Sequence, residues 1–206
     1  ESDPVTVVAV TKTHPAAAAR AALAAGLVDL AENRVQDLEE KVRELDVRRA
    51  TWHLIGHLQR NKVRRALPLF DLFHSLDSLR LAREISRVAN DEGMTVRALV
   101  QVNTSGEEAK GGFEPAEAVD AVGTMAELPG LSLEGMMTMA PLDAGESILR
   151  ATFGAARELR ETVAREVAAF RPSHLSMGMS GDYEIAVEEG STIVRLGTVL
   201  FGARER

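Results

Sequence analysis

Eight short runs of apolar, largely β-branched residues alternate with longer amphipathic runs along the chain, and this alternation constrains the fold more than any other feature. Strands are predicted at 5–10, 28–31, 52–56, 72–76, 96–102, 133–139, 174–177 and 193–196. Helices are predicted between them at 15–26, 34–47, 61–67, 79–90, 115–128, 148–170 and 182–189. The first strand, VTVVAV, is almost continuously apolar, as a strand buried on both faces should be. One-to-one alternation of strand and helix demands a parallel sheet. An open doubly wound sheet satisfies that demand, but eight regular βα units without extra elements favour a closed (β/α)8 barrel of the TIM type. The 206 residues lie near the lower size for such a barrel and are expected to form one domain, 1–206.

Composition narrows the function classes. The chain contains no cysteine, which excludes disulfides, thiolate metal sites and cysteine nucleophiles. A net charge of −7 argues against general binding to nucleic acid or anionic membrane. No apolar run approaches the roughly 20 residues of a membrane helix. The opening ESDPVTVVAV has no basic segment before its apolar stretch and does not read as a signal peptide. It lacks an initiator methionine and enters a strand almost at once, so an N-terminal piece is expected to be missing.

In a (β/α)8 barrel the chemistry sits where the strands end. Lys12 follows the first apolar strand, where partial desolvation would favour a neutral, nucleophilic amine. It reads either as a Schiff-base lysine or as a surface lysine of a βα loop. Ser180, Gly197 and Thr198 fall after strands seven and eight, where barrels often hold phosphate. Ser180 could equally cap the helix that follows it. Arg195 is a charge inside an apolar strand, costly unless it meets a ligand or a carboxylate such as Glu32. Asn33, followed by Gln36, reads as the start of a capping box. The histidines show no metal-ligand spacing on a helix, so no metal is expected. Met136, Met137, Met139, Met177 and Met179 read as barrel core, and the basic run 60–65 as a solvated helix face.

The segments AVTKTHP (9–15), AENRVQDLEEK (31–41), WHLIGHLQRNK (52–62), VQVNTSGEEAKGGF (100–113), LEGMMTMAP (133–141) and the long run 174–205 resemble the pyridoxal 5′-phosphate (PLP) homeostasis protein family. The resemblance spans nearly the whole chain. It implies the barrel of the alanine racemase N-terminal-domain type, without that enzyme's second domain. It also implies that Lys12 carries PLP covalently as a Schiff base and that Ser180, Gly197 and Thr198 cradle the phosphate. Arg195 would face the pyridine nitrogen, and Asn33 would lie near the ring. Two departures stand out. The family's N-terminal helix has no counterpart here, and Ala31 replaces the glycine usual before Glu32-Asn33.

An arginine at the pyridine nitrogen weakens PLP as an electron sink. Racemisation also needs a second acid/base, and the only tyrosine, Tyr183, follows the phosphate loop. The expectation is therefore a cytoplasmic, monomeric PLP carrier in vitamin B6 homeostasis, with apo PLP-dependent enzymes as candidate recipients. A weakly active racemase-like PLP enzyme is the alternative. A class I aldolase-like barrel is a third reading of Lys12 and the phosphate site.

Overall fold

The computed structural model describes residues 4–45 and 49–202. Eight parallel strands close into a barrel in sequence order: β1 (Thr6–Val10), β2 (Asp29–Glu32), β3 (Thr51–Leu54), β4 (Leu72–Leu76), β5 (Val96–Gln101), β6 (Leu131–Met137), β7 (His174–Ser176) and β8 (Ile193–Leu196). Closure sets Thr6 opposite Ile193 and Val8 opposite Arg195. The helices α1 (Ala16–Ala24), α2 (Val35–Lys41), α3 (Val63–Ala66), α4 (Leu79–Glu92), α5 (Ala118–Ala126), α6 (Glu146–Glu166) and α7 (Tyr183–Glu188) follow β1 to β7 in turn. A short α8 (Thr198–Phe201) follows β8; the sequence pattern carries no sign of it.

Alternation along each strand divides the apolar residues between two layers. Val8, Val10, Ala31, Leu72, Leu99, Met137 and Ile193 form a small cluster inside the barrel. A much larger cluster, including Leu30, Leu38, Leu54, Phe73, Ile85, Met136, Phe153 and Leu175, fills the space between sheet and helices. The methionines follow the same division. Met136 and Met177 lie in the outer layer and Met137 in the inner one, whereas Met179 lines the cavity at the barrel mouth. Close strand contact requires glycine once: a Cβ on Gly135 would stand 1.9 Å from the His174 carbonyl oxygen across β6 and β7.

Several helix boundaries differ from expectation for local reasons. α4 runs two residues past its expected end at 90, to Glu92, and closes on a left-handed Gly93. α6 stops at Glu166, where Val167 turns extended, although Phe170 is still buried. The run 61–67 is a 3₁₀ turn at Arg60–Lys62 followed by α3. Its arginines pair outward, Arg64 with Asp91 and Glu92 and Arg65 with Glu39. α2 ends at Lys41, and the last part of the predicted helix, 46–47, lies outside the described residues. The expected capping box does not form. The residue preceding α2 is Arg34, with no side-chain cap, and the Gln36 Oε1 is buried without a partner.

Below the mouth of the barrel, α2 is tied to β1 and β2 by a buried polar group. Glu32 accepts from the Thr11 hydroxyl at 2.5 Å and from the Lys41 ammonium. Lys41 also donates to the Thr11 carbonyl at 2.7 Å. Thr11, Glu32 and Lys41 are all buried. Removing one member of such a pair strands the other charge, at a cost of about 3–5 kcal/mol. Lys41→Met is therefore expected to lower stability in urea by about that amount, and a loss under about 1 kcal/mol would contradict the assignment. Burial already raises the Glu32 carboxyl above its usual 4.5, so the native state holds this proton more tightly than the unfolded chain. Its contribution is full below pH 4.5 and declines as pH rises through the folded value. Loss of the opposing Lys41 charge should raise the folded value further and extend that decline to higher pH.

Candidate functional site

The segments after β1, β6, β7 and β8 build the mouth of the barrel. After β1, the chain turns at once: the His14 N–H donates to the Thr11 carbonyl at 3.1 Å, and Thr13 sits at φ 68°, a left-handed position rare for a β-branched residue. Lys12 lies in this turn, directly after the Thr11 carbonyl that Lys41 holds. The His14 ring packs on Phe201 of α8 with centroids 5.2 Å apart, which joins the first loop to the last helix.

After β7, the chain reverses at Gly178, whose φ is 93°. A Cβ there would stand 2.6 Å from the Ala186 Cβ, so glycine lets α7 close against the turn. The Gly178 carbonyl accepts from the Arg195 N–H at 3.0 Å. Asp182 precedes α7 and accepts from the Met179 N–H at 2.5 Å. Ser180 does not cap that helix. Its hydroxyl oxygen instead accepts from the N–H groups of Gly197 and Val199, each at 3.3 Å. The serine that reads as a cap thus joins the β7 loop to the start of α8, and keeps one hydroxyl proton to donate. Gly197 has a negative φ of −118°, and an added Cβ would meet only Val10 at ordinary contact, 3.6 Å. Among the described residues, neither conformation nor packing demands glycine at this position.

Arg195 is buried in β8, only 4% exposed. It donates to the Ser176 hydroxyl at 2.6 Å and to the Thr138 carbonyl at 3.0 Å. The suggested partner Glu32 is engaged with Lys41, and among the described residues no carboxylate forms an ion pair with Arg195. Burial lowers its pKa to about 10, with the negative charge of Asp182 opposing the shift. At neutral pH the guanidinium remains a cation.

These elements enclose a cavity of about 410 Å³. Lys12, Arg195, Ser180, Gly197 and Thr198 all line it. Asn33 does not. It flanks a separate cleft beside Lys12, with its backbone and side chain against Gly56, where any Cβ would collide. The cavity also takes in Ile55, Met179, Asp182 and the loop from Pro141 to Ala144, none of which the sequence singles out as a ligand contact. Their shared signal is position: each lies at or just beyond the end of a strand.

The sequence profile described as alanine racemase, N-terminal domain, matches residues 2–205. A pyridoxal phosphate homeostasis protein of Aquifex aeolicus is 42% identical over 195 residues, covering 95% of this chain and 85% of its own. The structure of PipY from Synechococcus elongatus without PLP superposes with a TM-score of 0.92 at 40% identity, covering 96% of this chain and 93% of PipY. The same protein with PLP bound gives 0.90 at 38% identity, over 98% and 94%. A match of this length and identity, on the same closed barrel, places the chain in the pyridoxal phosphate homeostasis protein family.

Proposed function

We propose that this barrel binds PLP covalently at Lys12, as a Schiff base, and serves as a carrier in intracellular vitamin B6 homeostasis. The observation that supports this most directly is one cavity that gathers an amine, a buried cation and a hydroxyl–backbone cradle. Each suits a different part of PLP. Bound PLP supplies an aldehyde, which condenses reversibly with an amine and releases water. The four lysines are not equivalent candidates for that amine. Lys41 is buried against Glu32 and the Thr11 carbonyl. Lys110 pairs with Glu107 at 3.4 Å. Lys62 belongs to the exposed turn before α3, and Lys12 lines the cavity.

In the same cavity, the Ser180 hydroxyl and the Thr198 side chain can donate to phosphate oxygens. Gly197, lacking a side chain, leaves room for the anion. Arg195, a buried cation that lines the cavity, would hold the ring by donating to its pyridine nitrogen. That arrangement favours the unprotonated ring and weakens electron withdrawal. Tyr183 is not part of the cavity lining; its hydroxyl donates to Glu184 at 3.4 Å. Both features favour carrying the cofactor over catalysing with it. Asn33 is proposed to act from beside Lys12. Among the described residues no helix is long and apolar enough to cross a membrane. A monomer working in the cytoplasm, with apo PLP-dependent enzymes as recipients, completes the reading.

Absorption spectroscopy tests the lysine. The protein with PLP should show a visible band that Lys12→Ala loses, and an undiminished band in that variant would overturn the assignment. Ser180→Ala should weaken PLP binding about tenfold, the value of one charge-assisted hydrogen bond, while affinity for phosphate-free pyridoxal changes little. Equal losses for both ligands would remove Ser180 from the phosphate site. The carrier role predicts that an apo PLP-dependent enzyme gains activity from the loaded protein. No gain, together with hydrogen exchange at an amino-acid α-carbon above that given by free PLP, would favour a racemase-like enzyme instead.

A further inference from the structure

A line of polar side chains crosses the inside of the barrel, ending at Arg195. The Asp29 Oδ1 lies 3.0 Å from the His53 Nε2. The His53 Nδ1 lies 2.8 Å from the His74 Nε2. The His74 Nδ1 lies 2.9 Å from the Ser176 Oγ, which accepts from Arg195 at 2.6 Å. His53, His74, Ser176 and Arg195 are buried, and Asp29 is partly exposed at the start of β2. Five strand residues, on β2, β3, β4, β7 and β8, therefore make one continuous chain of hydrogen bonds among apolar neighbours.

The two ends fix its direction. A guanidinium only donates and a carboxylate only accepts. Arg195 occupies one lone pair of the Ser176 oxygen. The serine proton then has the His74 Nδ1 as its acceptor among the described residues. His74 must carry its own proton on Nε2 and give it to the His53 Nδ1. His53 in turn gives its Nε2 proton to Asp29. The ring nitrogens of both histidines and the serine hydroxyl are then satisfied with both rings neutral. The opposite polarity would place a proton on the His74 Nδ1, pointing at a serine oxygen that already faces a cation. It would also orphan the serine proton and require an imidazolium at His53. The surroundings disfavour charge on His74: burial opposes it first, and the neighbouring His53, Arg195 and His174 oppose it further. The paired Arg97 and Glu134 act on His174 with opposite sign.

We propose that Asp29, His53, His74 and Ser176 form a one-directional relay that positions Arg195, holding its guanidinium plane toward the cavity and linking it to a carboxylate at the opposite end of the barrel. The four relay residues act through Arg195 and touch no ligand themselves. The consequence for cofactor binding rests on the proposed PLP site; the relay itself does not.

Nitrogen-15 spectra of the histidine side chains in the full, ligand-free chain at pH 7 test the direction without any variant. His53 and His74 should both be neutral, with the proton on Nε2. A proton on the His74 Nδ1, or an imidazolium at either ring, would overturn the proposal. Ser176→Ala should release the His74 tautomer preference and raise the PLP dissociation constant about tenfold through loss of the Arg195 acceptor. An unchanged His74 signal in that variant would also overturn it. If the unaltered protein shows the expected tautomers but forms no adduct with PLP, the relay stands and the cofactor reading fails.

Discussion

A full positive charge sits inside the barrel at Arg195, and the surrounding structure is arranged to tolerate it. An unpaired buried cation is expensive, and among the described residues this one has no carboxylate in direct contact. It is solvated instead by a serine hydroxyl and a backbone carbonyl, and the hydroxyl is backed by two histidines and an aspartate. The inner layer of the barrel therefore cannot be uniformly apolar. A small hydrophobic cluster of seven residues shares the interior with this polar line. A ligand that accepts hydrogen bonds from the remaining guanidinium donors makes sense of that expense.

The second constraint lies on the neighbouring strand, β1. Lys12 comes into the cavity because the strand before it is fixed by closure against β8 and the carbonyl before it is held by Lys41. The Glu32–Lys41 pair, the left-handed Thr13 and the ring contact between His14 and Phe201 act on the same few residues. Local order around the amine thus comes from polar groups below it and from α8 beside it. The β7 loop is fixed in a similar way, with Gly178 allowing the reversal and Ser180 bonding across to α8. Two loops far apart in sequence meet over one cavity because both lean on the short last helix.

The barrel was legible in the sequence because apolar runs of strand length alternate so regularly with amphipathic ones. Strands β4 and β8 begin and end where the pattern places them. Lys12, Ser180, Arg195, Gly197 and Thr198 could be picked out because strand ends are where barrels act, and they share the cavity. Their roles came from resemblance, since position alone left each of them open. Asn33 shows the limit: a plausible cap from its spacing, it neither caps α2 nor enters the cavity. The capping box failed because the helix begins one residue later, which no local pattern reveals. Helix α8 was missed because four residues between two glycines carry no periodicity. Asp29, His53, His74 and Ser176 were overlooked as a group because their contacts span up to 102 positions. A signal did exist: Asp29, His53 and His74 all face the barrel interior on successive strands, each two positions further along than the residue paired with the one before. Reading it requires knowing how neighbouring strands align, and a single sequence does not supply that.

Lys12 is the amine proposed to meet PLP in this cavity. Borohydride reduction of the PLP-loaded protein, followed by peptide mass spectrometry, tests this most directly, because the chain offers only four lysines. A stable pyridoxyl-phosphate modification on Lys12, formed at one equivalent of PLP, is the predicted result. Modification mainly at Lys62 or Lys110, with Lys12 unmodified, would contradict it.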